Sequence, residues 1–150
     1  MASLTFPSPV GPLTLTEEDG HITRLRWDGA GHDETPVLLA AATQLGEYFA
    51  GQRQRFDLPL APNVTPAQRR FLDALIAIPY GETRRYGDLA RDLGISAQAA
   101  GQACGANPIA ILIPCHRVLA TDSLGGFSAL GGIETKVALL RLEGAASLLL

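Results

Sequence analysis

The sequence predicts an α+β chain in two parts, strands with one helix first and a mostly helical remainder after. Three observations carry this. Apolar residues alternate with period two around "LTLT" and "RLRW", they recur at helical spacing in "TPAQRRFLDALIAI", and the connector "APNVT" stands between the two regimes. We place the parts at 1–61 and 62–150.

At 150 residues, 47% hydrophobic and 18% charged, the chain is long and apolar enough to bury a real interior. No apolar run approaches the ~20 residues that span a bilayer. "MASLTFPSPVG" lacks the basic start and apolar core of a signal peptide, so a cytoplasmic protein with no membrane contact is expected. The net charge of −3 does not advertise nucleic-acid binding. Residues 1–60 hold 4 Arg against 8 Asp and Glu, whereas 61–150 hold 8 Lys and Arg against 7, so any polyanion contact belongs to the second part. Two Cys without a C-x-x-C and three scattered His argue against a structural metal, and no cofactor is expected.

Taking the elements in order, "EEDG" is turn chemistry between two alternating runs, a hairpin signal. Thr35-Pro36 reads as an N-cap with Pro at the first helical position, opening a helix that stops at Gly51. "RFDLPLAP" is a short extended piece. In the second part Thr65-Pro66 opens a helix with Phe71, Leu72, Leu75 and Ile76 on one stripe. Thr83 is the expected cap of a helix ended by Gly94, and Ser96 of the next, "AQAAGQACGA". Two short helices about a tight turn outline a helix-turn-helix. "PIAILIP" reads as a buried strand, 120–132 as a glycine-rich loop, and "IETKVALLRLEG" as a last helix.

The chemistry collects in "LIPCHRVLA", 112–120. A Cys after an apolar run is ordinarily a small core residue. Here Pro114 forces a turn just before Cys115, and His116 and Arg117 follow at once. An imidazole and a cation beside a thiol favour the thiolate, which a nucleophile requires. Glu143 sits with Leu139 and Leu140 on the apolar stripe of the last helix, near its C-terminus, where the dipole disfavours an anion. It therefore needs a partner: His116, or Lys136 or Arg141 at the surface.

"NPIAILIPCHRV" (107–118) resembles the active-site signature of the O6-alkylguanine-DNA alkyltransferases, and the likeness extends through "EYFAGQRQRFDLPL", "IPYGETRRYGDLA" and "GGIETKVALLRLEG". The resemblance implies a ribonuclease-H-like N-terminal α/β lobe packed on a C-terminal helical lobe with a helix-turn-helix, in the stand-alone form of the family. It implies a monomer whose partner is DNA: the second helix of the motif enters the minor groove and a damaged guanine is flipped into a pocket. The alkyl group then passes irreversibly to a cysteine, with one turnover per molecule. O4-alkylthymine is a candidate second substrate.

By the same resemblance Cys115 is the acceptor, His116 takes its proton through a water, and Glu143 holds the imidazole. Tyr86 donates toward guanine N3, and Asn107 ties the recognition helix to the turn bearing Cys115. The carbonyls of Cys115 and Val118 accept from the guanine amino group, Ser128 lies near O6, and Arg117 holds the turn together. Taken alone, Tyr86 could be a half-buried aromatic, Asn107-Pro108 a helix stop and Ser128 a turn residue.

The pattern breaks in how the guanine arrives. Gln98 stands where the family carries the arginine that fills the gap left by the flipped base. "LGISAQ" is shorter than usual, "GGFSALGGIE" longer, and Cys104 takes a recognition-helix position where a larger side chain lines the pocket. Altered DNA engagement is expected. The alternatives are an alkyltransferase acting mainly on single strands or small alkylated purines, and a binding protein that recognises alkylguanine without repairing it; the acceptor Cys115 counts against the last.

Overall fold

The computed structural model of the chain describes residues 1–121, 125, 127 and 132–145. Backbone contacts divide the chain into two units, Met1–Asn63 and Val64–Leu150.

In the first unit β1 (Ala2–Phe6), β2 (Leu13–Glu18) and β3 (His21–Arg26) form an antiparallel sheet in the order β1-β2-β3. The β2–β3 turn holds Asp19 and Gly20 at φ +51° and +77°, a left-handed pair for which Asp-Gly is a favoured sequence. Helix α1 (Pro36–Phe49) starts where expected, with the Thr35 side chain accepting from Leu38 N at 3.3 Å. Its buried residues Leu38, Ala41, Leu45 and Tyr48 recur at helical spacing, and the helix packs on the sheet. Strand β1 is an addition to the expected elements: with only Leu4 and Phe6 alternating, its signal lies in the partner strand rather than in itself. The extended piece near residue 60 reduces to one parallel bridge, Ile22 to Leu60.

In the second unit α2 (Pro66–Ile76) is capped by Thr65, which accepts from Gln68 N at 3.1 Å. Phe71, Leu72 and Leu75 are buried as the stripe requires, but Ile76 is 48% exposed, and Ile78 beyond the helix end is buried instead. The next helix does not begin at Thr83. Arg84–Arg85 form a short strand, β4, parallel to β5 (Val118–Leu119), and α3 (Tyr86–Leu93) starts after Arg85, whose N–H donates to the Asp88 carboxylate at 3.3 Å. An acidic residue in the first turn takes over the cap that Thr83 was expected to supply. Gly94, φ +69°, ends α3 in the left-handed region. Helix α4 (Ala97–Gly105) follows after three residues, capped by Ser96 through Ala99 N at 3.0 Å, and packs on α3 as the helix-turn-helix outline anticipates. Gln68 Nε2 donates to Ala103 O at 2.7 Å and ties α2 to α4. Helix α5 (Ile133–Leu142) closes the unit, with Glu143 as its C-cap. Among the described residues no helix is long and apolar enough to cross a membrane.

The stretch 108–114 is not a strand. Leu112 N donates to Ala110 O at 2.8 Å across Ile111, which is held at φ +71°, and Ile113 N returns to Ile109 O at 2.9 Å. A β-branched residue in the left-handed region costs about 1–3 kcal/mol, so the surroundings must over-determine this turn. Period-two reading could not separate a buried, coiled apolar run from a buried strand.

Candidate active site

Asn107, just past α4, clamps the coiled run from both sides of its amide: Nδ2 donates to Ile113 O at 2.9 Å and Oδ1 accepts from Ile109 N at 3.0 Å. Pro114, at φ −82° and ψ 67°, then lets Cys115 N reach Ile113 O at 2.8 Å, an inverse γ-turn. Cys115 consequently opens a 3₁₀ turn, Cys115–Arg117, whose three side chains are all buried. The turn packs against α5.

Glu143 answers the question of its partner. Its Oε2 lies 2.7 Å from His116 Nε2, and Arg117 donates twice, from Nε to Oε1 at 2.8 Å and from Nη2 to Oε2 at 3.1 Å. Neither Lys136 nor Arg141 takes the expected surface role: Lys136 is fully buried, with Nζ donating to Val118 O at 2.6 Å. Arg117 Nη1 also donates to Ile78 O at 2.7 Å, and its guanidinium stands 5.8 Å from the Tyr80 ring centre. Arg117 thus cancels the Glu143 charge and fastens the turn to the end of α2. Burial pushes the His116 pKa below its ordinary 6.5, against the opposing pull of Glu143, so the ring is neutral at physiological pH. With Nε2–H donated to Glu143, the proton-free nitrogen is Nδ1, which is buried and has no hydrogen-bond partner among the described residues. A neutral imidazole oriented by a carboxylate, with its other nitrogen free to accept, is a general base.

The sulfur of Cys115 is tuned from other directions. The neighbouring Cys104 thiol is the largest influence and lowers its pKa; burial opposes this, while the Asn107 side chain and the Lys136 charge lower it further. The neighbouring Cys115 and burial push the Cys104 thiol up. Of this pair, the surroundings favour the thiolate at Cys115 and disfavour it at Cys104. Burial, then the neighbouring Cys104, raise the Tyr86 phenol, which stays a donor, and Lys136 Nζ lies 5.9 Å from the centre of its ring. The Cys115 carbonyl accepts from Val118 N and, at 3.5 Å, from Cys104 Sγ. Both carbonyls expected to meet a guanine amino group, those of Cys115 and Val118, thus already hold protein donors.

The second unit brings together Cys115, His116, Arg117, Val118, Glu143, Asn107, Cys104 and Tyr86. Gln98 is apart from them, exposed near the start of α4, and Ser128 lies outside the described residues. Lys136 is the residue that sequence reasoning undervalued. The signal was present: Lys136, Leu139, Leu140 and Glu143 stand at i, i+3, i+4 and i+7, so a lysine shares the buried face.

Comparison with known proteins identifies the family. Residues 2–62 match the family described as 6-O-methylguanine DNA methyltransferase, ribonuclease-like domain, and residues 66–145 match its DNA binding domain. The chain belongs to the 6-O-methylguanine DNA methyltransferase family. Methylated-DNA–protein-cysteine methyltransferase of Mycobacterium tuberculosis H37Rv is 44% identical over 150 residues, covering 93% of this chain and 90% of that protein. The constitutive Bacillus subtilis protein of that name is 41% identical, covering 93% of both. The crystal structure of the M. tuberculosis O6-methylguanine methyltransferase superposes with a TM-score of 0.84 at 40% identity, covering 96% of this chain and 93% of that one. The M. tuberculosis protein solved in complex with DNA gives 0.84 at 41%, covering 97% and 94%. The family's fold, an N-terminal lobe and a C-terminal helical domain, is the α+β architecture that the sequence predicted.

Proposed function

We propose that this protein repairs DNA by direct, stoichiometric and irreversible transfer of the alkyl group of O6-alkylguanine to Cys115. The observation that carries the reading is the buried relay: a thiol held low beside a neutral imidazole whose free Nδ1 can take its proton, oriented by a carboxylate that Arg117 neutralises. His116 Nδ1 removes the thiol proton through a water. The sulfur attacks the alkyl carbon, the carbon–O6 bond breaks, and its electron pair passes into the purine. Tyr86, kept protonated by its surroundings, donates toward N3 of that purine. The product is a thioether, a bond stable to hydrolysis, so each molecule acts once.

DNA enters by its minor groove against α4, with the alkylated base flipped toward Cys115 and the protein acting as a monomer. O4-alkylthymine, which offers the same alkyl–oxygen bond, is a second substrate. The test is intact-protein mass after incubation with duplex DNA containing O6-methylguanine. We expect one methyl gained per molecule, mapped to Cys115, and none with unmethylated duplex; methylation elsewhere, or none at all, overturns the reading.

Gln98 supports a narrower statement. It is exposed near the first turn of α4, where a charged side chain would be placed to occupy the gap left by a flipped base. An uncharged amide stacks less well and attracts no phosphate, so extrusion of the base from duplex is slowed. Gln98→Arg should speed transfer from duplex several-fold and leave benzyl transfer from free O6-benzylguanine unchanged. Equal acceleration of both reactions would show that residue 98 acts on the site rather than on DNA.

A further inference from the structure

Cys104 is a second thiol in the buried cluster, and the transfer reaction gives it no covalent role. The chain's two cysteines are both free, both buried, and eleven residues apart in sequence. The last turn of α4 aims Cys104 Sγ at the acceptor turn, 3.5 Å from the carbonyl oxygen of Cys115 itself. We propose that Cys104 is a resolving thiol, and that the pair forms a reversible disulfide when Cys115 meets a hydroperoxide.

The chemistry follows from the asymmetry of the two sulfurs. The thiolate is the form that attacks a peroxide oxygen, and the surroundings favour it at Cys115 and disfavour it at Cys104. Attack forms a sulfur–oxygen bond and breaks the oxygen–oxygen bond, giving a sulfenic acid at Cys115 and releasing an alcohol, or water from hydrogen peroxide. Cys104 then attacks the sulfenic sulfur; its proton leaves with the hydroxyl as water and the sulfur–sulfur bond forms. In sum two thiols and one hydroperoxide give a disulfide, one alcohol and one water. The two electrons lost by the sulfurs reduce the peroxide. A dithiol reverses the last step by exchange. Without a neighbouring thiol the sulfenic acid would wait for a second peroxide and pass to sulfinic acid, which thiols do not reduce. For a protein whose acceptor works once, capture by Cys104 preserves an unused molecule through oxidation.

The consequence for repair rests on Cys115 being the acceptor, but the disulfide itself does not, and the experiment keeps the two apart. Full-length protein, wild type, Cys104→Ser and Cys104→Ala, is treated with hydrogen peroxide, then a thiol-blocking reagent, and weighed intact. Thermal melting of the reduced proteins establishes that each variant is folded. Wild type should lose the mass of two hydrogens, resist blocking, and recover both free thiols and methyl transfer after dithiol. Both variants should instead gain oxygen at Cys115 that dithiol does not remove. Oxygen adducts accumulating alike in wild type and variants, or no reaction of wild type with peroxide, would overturn the proposal. Disulfide formation by a protein that cannot take methyl from DNA when reduced would sink the repair reading and leave this one standing.

Discussion

Glu143→Ala will cost about 3–5 kcal/mol of folding stability and remove measurable transfer to Cys115. Glu143 is 5% exposed and accepts from two buried cationic or imidazole side chains. Truncation leaves Arg117, 7% exposed, without its counter-charge and held by the Ile78 carbonyl and the Tyr80 ring, and leaves His116 Nε2–H without an acceptor. Each loss is a desolvation penalty without recompense. Against the roughly 5–15 kcal/mol that stabilises a small domain, the loss is a large fraction of the whole. Urea unfolding should show a lower midpoint at unchanged slope. Glu143→Gln keeps an acceptor for the imidazole but loses the charge opposite Arg117, so its midpoint should fall between the two. If Glu143→Ala unfolds within about 1 kcal/mol of the wild type, the cluster behaves as a surface ion pair and the relay as drawn is wrong.

The elements that could be read from the chain are those whose signals are local. Thr35-Pro36, Thr65-Pro66 and Ser96 each place a hydroxyl where the first helical N–H groups need an acceptor, and each caps the helix it was expected to cap. Gly94 ends α3 because the left-handed conformation suits a residue without a side chain. Elements decided by distant partners were not legible. Arg84–Arg85 becomes a strand only because Val118–Leu119 lies beside it, and that pairing displaces the start of α3 from Thr83. The apolar run 108–114 coils rather than extends because Asn107 engages two of its backbone groups, a constraint no periodicity encodes.

The site divides the same way. Cys115, His116, Arg117 and Asn107 lie within one short segment, and the chemistry of their side chains marks them. Burial and the helix dipole require a partner for Glu143, and His116 is one of the candidates the sequence offers. That Arg117 shares the carboxylate depends on the fold bringing the turn beside the end of α5. Lys136 reads in the sequence as a surface partner for Glu143, although its spacing from Leu139, Leu140 and Glu143 puts it on the buried face.

Lys136→Met should move the pH profile of Cys115 alkylation to higher pH while leaving its plateau intact. The Lys136 charge is one of the influences that favour the Cys115 thiolate, and it also adds to the forces keeping His116 neutral. Removing it raises both pKa values. The variant then carries less thiolate and more protonated imidazole at neutral pH, and should react about tenfold more slowly there, the rate corresponding to roughly 1.4 kcal/mol. Above the Cys115 midpoint the two proteins converge. Stability should change far less, because two effects oppose. Burial holds the Lys136 pKa below its ordinary 10.5, so the folded protein binds that proton less tightly than the unfolded chain, and the charge is a cost until pH rises through the folded value. Methionine removes the cost but also the bond to the Val118 carbonyl, and the net should lie within about 2 kcal/mol. His116 follows the same sign in a lower pH window. The unfolded chain takes up its proton near 6.5 and the folded protein only below that, so stability falls as pH drops from 6.5 toward the folded value. The rate falls there too, since a protonated Nδ1 cannot accept. Rates measured with free O6-benzylguanine from acid to alkaline pH, with DNA left out, read these limbs directly. A lowered plateau at an unmoved midpoint would mean that Lys136 serves only to hold the Val118 carbonyl, and that the thiolate owes its stability to Cys104 and Asn107 alone.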